Sequence, residues 1–170
     1  MQPLLQIAAD IGSLLLERGE TVGISESSSG GLISAALLSV SGASRFYRGG
    51  GVIYTPQAFK GLLRLEKADI ADMRSSTEPY ALLLADTIRQ RLRADWGLCE
   101  TGAAGPIGNA YGDAAGHTCI GLVGGKTGTP VKTSCTLETE RSDRVENMHL
   151  FAHKALTVLK DALQESSTEE

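Results

Sequence analysis

Two hydrophobic periodicities alternate along this chain, and their order constrains the fold more than any other feature. Apolar residues recur at helical spacing in 3–18, where Leu4, Ile7, Ala8, Ile11, Leu14 and Leu15 share one face. Gly19 is placed to end that helix. Short strand-like runs follow at 21–25 (TVGIS), 50–55 (GGVIYT), 96–102 (WGLCETG), 117–125 (HTCIGLVGG) and 129–138 (TPVKTSCTLE). Between and after them, 29–40, 56–65, 75–95 and 142–164 read as helices. Pro56 suits a first helical position, and Arg89, Arg91 and Arg93 suit the end of the fourth helix. In the last helix Val145, Met148, Ala152, Ala155, Leu156 and Leu159 form the expected core stripe. Strands separated by helices predict an α/β fold with a mixed, mostly parallel sheet, and "KTG" after 125 predicts one antiparallel hairpin. Such sheets bind ligands in the loops beyond the carboxyl ends of their strands. Two loops answer that description, 25–31 and 102–116.

The 170 residues suffice for one core, and no internal repeat or linker divides them. We expect one domain over 1–164 and a frayed acidic tail over 165–170. A net charge of −4 without a basic stripe argues against nucleic-acid binding. The first twenty residues read as a helix, not a signal peptide, and no apolar run has the length of a membrane span. Cys99, Cys119 and Cys135 lack CxxC spacing and read as free thiols in strands, which suits the cytoplasm. His149 and His153 can share a helix face, but sequence places no third ligand, so no metal or other cofactor is expected.

The loop Ser25-Glu26-Ser27-Ser28-Ser29-Gly30-Gly31 carries the chemical interest. It joins a strand to a helix, so the N–H groups of Ser29, Gly30 and Gly31 fall in a first helical turn and can hold an anion. The competing reading is an ordinary serine cap. It is neither a Walker A loop nor a G-x-S-x-G elbow. Tyr54 is placed to reach a cleft as a proton donor. The glycine loop at 103–116 carries Asn109, Tyr111 and Asp113, and its length without regular structure suggests function. His117 follows it and can line the same cleft.

These residues resemble the CinA C-terminal domain family. Its signature A-E-S-C-T-G-G is similar to 25–31. Its G-S-S…F-x-G-G-V-V-x-Y-S-N-x-A-K…L-L stretch is similar to SGASRFYRGGGVIYTPQAFKGLL, and its G-I-A-G-P-x-G loop to TGAAGPIG at 101–108. The resemblance implies a three-layer α/β/α sandwich and a metal-independent nicotinamide-nucleotide amidase. That enzyme, a carbon–nitrogen hydrolase acting on a linear amide, converts nicotinamide mononucleotide to nicotinic acid mononucleotide and ammonia. It also implies a homodimer or higher homo-oligomer. Ser27 takes the nucleophile's place, with Tyr54 assisting it. Glu26, Ser28, Ser29, Gly30, Gly31, Gly102, Ala104 and Gly105 take substrate-binding places. Arg144 matches a family arginine near the last helix, with Arg141 as competitor, and suits a phosphate. The family's activating lysine falls on Phe59; Lys60 is adjacent, but one helical step turns a side chain by about 100°. Serine is a weak nucleophile without a neighbouring base, so Lys60, His117 or another group would have to serve. The alternative expectation is a catalytically altered nucleotide-binding protein.

Overall fold

A computed structural model describes residues 1–70, 73–125 and 130–165. The elements run α1 (Gln2–Arg18), β1 (Val22–Glu26), α2 (Leu32–Leu38), β2 (Tyr47–Val52), α3 (Pro56–Leu63), α4 (Glu78–Leu92), β3 (Trp96–Ala103), β4 (His117–Gly124), β5 (Val131–Glu138) and α5 (Arg144–Glu165). They form one five-stranded sheet of order β2-β1-β3-β4-β5. β1 pairs in parallel with β2 and with β3, while β3–β4 and β4–β5 are antiparallel. Two ladders are therefore antiparallel where the hairpin alone predicted one. The turn expected at "KTG" lies outside the described residues, as does the tail from 166.

Helices cover both faces, the α/β/α layering the family resemblance implied. On one side, α1, α2 and α5 bury Leu4, Ile11, Leu37, Ala152 and Leu156 against Ile24, Leu98 and Ile120 of the sheet. On the other, α3 and α4 pack Phe59, Leu63, Leu84 and Ile88 over Cys99 and Cys119. The three cysteines are free, with Cys99 and Cys119 buried. Gly19 ends α1 in the left-handed conformation (φ 57°), and Thr55 caps α3, accepting from the Ala58 N–H at 3.2 Å. Val145, expected in the α5 stripe, is 63% exposed; the stripe begins at Asn147 and continues through Phe151, Ala152, Ala155, Leu156, Leu159 and Leu163.

The expected second helix is shorter than its apolar pattern. It starts at Leu32, with Gly31 at its cap and a left-handed backbone there (φ 99°). The second strand starts earlier than expected, at Tyr47, so Tyr54 lies beyond its end.

α4 rides close to the sheet because strand glycines remove the side chains beneath it. A Cβ at Gly97 would meet the Ala85 carbonyl oxygen at 1.9 Å, and one at Gly121 would meet the Ala81 carbonyl carbon at 2.4 Å. Both obstacles are backbone, which cannot rotate away. Gly97→Ala is expected to destabilise the fold by about 3 kcal/mol, the upper end of overpacking costs. Gly61→Ala, in α3 with no atom within 4 Å of the new Cβ, should instead stabilise by about 0.5–1 kcal/mol. Urea unfolding of the two variants checks both signs.

Candidate active site

The parallel strands β1, β2 and β3 end on the same side of the sheet, and the loops leaving them enclose a cleft of about 650 Å³. This size suits a small-molecule ligand. Ser27 follows β1, Tyr54 follows β2, and Thr101 and Gly102 end β3; all four line the cleft. Ile53, Phe59 and Tyr80 supply an apolar wall, with the Phe59 and Tyr80 rings stacked at 6.3 Å and 15°. A smaller recess of about 260 Å³ shares Tyr54, Gly102 and Asn109 with the cleft and extends to Ser28, Ala104, Gly105 and Arg144.

The three serines have separate roles. Ser28 Oγ donates to the Gly102 carbonyl at 2.6 Å. Ser29 Oγ is buried between two carboxyl groups, 2.9 Å from Glu26 Oε2 and 2.8 Å from Glu100 Oε2. Ser27 alone keeps a hydroxyl without a hydrogen-bond partner among the described residues, and it faces the cleft. The Ser28 N–H likewise has no partner among the described residues.

The N–H groups expected to hold an anion are occupied by the chain itself. Ser29 N–H donates to Glu100 Oε2 at 2.8 Å, Gly30 N–H to the Ser27 carbonyl at 3.1 Å, and Gly31 N–H to Glu26 Oε2 at 3.0 Å. Glu26 also accepts from Ile33 N–H (3.0 Å), Ser34 N–H (2.8 Å) and Ser34 Oγ (2.5 Å). An internal carboxylate thus takes the place of a ligand at the start of α2. It also explains why the first turn of the expected helix is not helical. Glu26 is only 1% exposed, and neither Gly30 nor Gly31 lines the cleft.

Tyr54 and Arg144, 90 residues apart, are brought together. Arg144 Nη2 donates to the Tyr54 hydroxyl at 2.7 Å and Nη1 to the Gly105 carbonyl at 2.6 Å. Arg141 instead pairs with Glu146. Asn147, fully buried, donates to the Ala104 carbonyl at 2.8 Å and to the Arg141 carbonyl at 2.8 Å, tying the glycine loop to α5. Within that loop, Asn109 Oδ1 accepts from the N–H groups of Tyr111 and Asp113. Asp113 receives a two-pronged bond from Arg74 at 2.6 and 2.8 Å. That guanidinium holds the Asp113 carboxyl down to about 2.

Neither expected base is placed beside Ser27. Lys60 sits 68% exposed on the rim, and its Nζ pairs with Glu66 at 3.0 Å. His117 lies 8% exposed beneath the loop, not in the cleft lining. Its Nδ1 is 2.5 Å from Glu138 Oε1 and its Nε2 is 2.9 Å from the Ser76 carbonyl. A carbonyl can only accept, and a carboxylate likewise. Both ring nitrogens therefore donate, and the imidazolium has no lone pair for Ser27. Glu100, Thr118 and Asn147 were not anticipated as site residues. Their signal was an acid, a hydroxyl and an amide in otherwise apolar patterns, where burial demands a partner.

An α/β/α domain with a cleft of small-molecule size, a presented serine and a glycine-rich loop defines the class. The CinA C-terminal domain model matches residues 4–163, and the chain belongs to that family. CinA-like proteins of Rippkaea orientalis and Chlorobium phaeobacteroides are 34% and 33% identical over 92% and 91% of this chain. The chain spans 37% of the length of each. A CinA superfamily protein from Enterobacter cloacae superposes at TM-score 0.83 with 25% identity, covering 94% of this chain and 92% of that one. The competence/damage inducible protein CihA from Agrobacterium tumefaciens also gives 0.83 and 25%, covering 95% and 96%. Among the described residues no helix is long and apolar enough to cross a membrane, and no three His, Cys, Asp or Glu side chains are grouped to share a metal.

Burial pulls the His117 imidazole down, but Glu138, the Ser76 carbonyl and the Asp113 charge outweigh it, and the net shift is upward. The folded chain then holds this proton more tightly than the unfolded chain. Its contribution to stability is complete below the ordinary imidazole value of about 6.5 and is lost as pH rises through the raised one. Urea midpoints across that range should fall for the wild type and should lose that component of the slope in His117→Gln. An identical slope in the variant would contradict the assignment.

Proposed function

We propose that this chain hydrolyses the carboxamide of a pyridine nucleotide of the nicotinamide mononucleotide type, with Ser27 as nucleophile. The observation that carries this reading is the division of labour among the serines. Two are tied into the fold, and the third is left unpaired at the cleft. Ser27 Oγ attacks the carboxamide carbon, and the carbonyl becomes an oxyanion within reach of the unpartnered Ser28 N–H. The C–N bond then breaks, ammonia leaves, and water cleaves the acyl-serine to release the acid and regenerate the hydroxyl. Tyr54 accepts a hydrogen bond from Arg144 and keeps its own proton free, so it can relay one between Ser27 and the leaving nitrogen. Arg144 retains unused donors facing the smaller recess, where the phosphate belongs. The apolar wall of Ile53, Phe59 and Tyr80 suits a flat ring.

A second reading, nucleotide binding without turnover, is favoured by one specific arrangement. Phe59 falls where the resemblance puts the family's lysine, Lys60 pairs with Glu66, and both ring nitrogens of His117 are engaged. Absence of a general base typically slows such chemistry by about 10²–10⁴-fold.

Incubation with nicotinamide mononucleotide should release ammonia, and Ser27→Ala should reduce that release to background. Arg144→Leu should weaken nucleotide binding about tenfold or more, as expected for losing a charge-assisted hydrogen bond worth about 1.5–3 kcal/mol. No ammonia, with nucleotide binding intact by calorimetry, selects the second reading. No binding removes both.

A further inference from the structure

Glu100 lies in the middle of β3, fully buried, and neither the nucleophile nor the cleft wall accounts for it. Its Oε2 accepts from the N–H groups of Ser27 at 3.1 Å and Ser29 at 2.8 Å, and Thr118 Oγ1 donates to its Oε1 at 3.0 Å. The informative atom is Ser29 Oγ. It has one proton but touches two carboxyl oxygens, Glu26 Oε2 and Glu100 Oε2. Between two carboxylates it would donate to one and oppose a lone pair to the other, in a site where neither group is relieved by water. Both contacts are hydrogen bonds only if one carboxyl is itself a donor.

The two groups are not equivalent. Glu26 meets four further donors, two on each oxygen, at the start of α2. That is where a negative charge is favoured. Glu100 sits in a strand core and is 0% exposed. Glu26 of β1 shares Ser29 with it, Cys99 precedes it on β3, and β4 presents Thr118; none of these is a cation.

We propose that Glu100 is a neutral carboxylic acid that donates to Ser29 Oγ, which in turn donates to the Glu26 carboxylate, and that this relay makes Glu100 the positioning residue for Ser27. Both contacts of Ser29 Oγ are then hydrogen bonds, with a single negative charge on the two carboxyl groups. Burial pushes the Glu100 carboxyl up, against the lowering effect of the hydrogen bonds from Ser29, Ser27 and Thr118, in agreement with that proton count. The kinetic benefit rests on the Ser27 reading: a second buried anion behind the nucleophile would oppose the oxyanion forming in front of it. The protonation and the anchoring stand without it.

The test uses the whole chain. Carbon-13 NMR of the glutamate-labelled wild type at neutral pH should show the Glu100 δ-carbon at its protonated position, assigned by its loss in Glu100→Gln. A carboxylate position overturns the proposal. In Glu100→Gln the amide oxygen can still accept from the Ser27 and Ser29 N–H groups, though it cannot donate to Ser29 Oγ as the acid does, so those amides should stay protected from hydrogen exchange. Glu100→Leu should speed their exchange at least about tenfold, the loss of roughly one hydrogen bond. Equal loss of protection in both variants, or unchanged protection in Leu, overturns the anchoring, and the carbon spectrum alone decides the proton. If Leu does not fold, the wild-type carbon spectrum and the Gln variant still decide. Ammonia release is followed in parallel. Its absence from the wild type counts against the Ser27 nucleophile and leaves the carbon spectrum and amide protection to judge Glu100.

Discussion

The β1–α2 loop is built around buried carboxyl groups, and the remainder of the site depends on that arrangement. A helix N-terminus with a hydroxyl-rich approach would ordinarily invite an external anion. Here Glu26 fills the position from within the chain, taking Gly31, Ile33 and both donors of Ser34. The geometry costs α2 its first turn and requires left-handed backbone at Gly30 and Gly31. It also turns Ser27 outward. With Glu100 holding the Ser27 and Ser29 N–H groups from beneath, the loop can place only one of its three hydroxyls in the cleft.

Displacing the anion site has consequences for the ligand. The cation that lines the smaller recess is Arg144, held against Tyr54 and the glycine loop. The recess is shaped by long-range ties rather than by local propensity: Asn147 clamps Ala104, and Arg74 clamps Asp113. On the far wall, Phe59 and Tyr80 extend the core beneath α3 and α4 directly into the cleft. On the proposed reading, the ligand lays a flat ring on this wall and an anionic group on Arg144.

The alternation of strand and helix, the Gly19 stop and the Pro56 start were legible because each is written within a few neighbouring residues. The full-length motif resemblance supplied the layering. The roles of the serines were not legible, because they are assigned by Glu100, which lies 71 residues from Ser29. The partner of His117, one of the candidate bases, was hidden for the same reason: Glu138 faces it only across the β4–β5 pairing. The late start of α2 likewise reflects the hydrogen bonds of Glu26 and Glu100, which override the apolar pattern. An acid within the apolar run WGLCETG was the one local sign that a buried partner had to exist.

The most direct measurement is a crystal structure of Ser27→Ala soaked with nicotinamide mononucleotide. The expected result places the carboxamide beside residue 27 and the phosphate on Arg144, with the Gly31 N–H still donating to Glu26. A phosphate seated on the α2 N-terminus with Glu26 displaced would contradict the account.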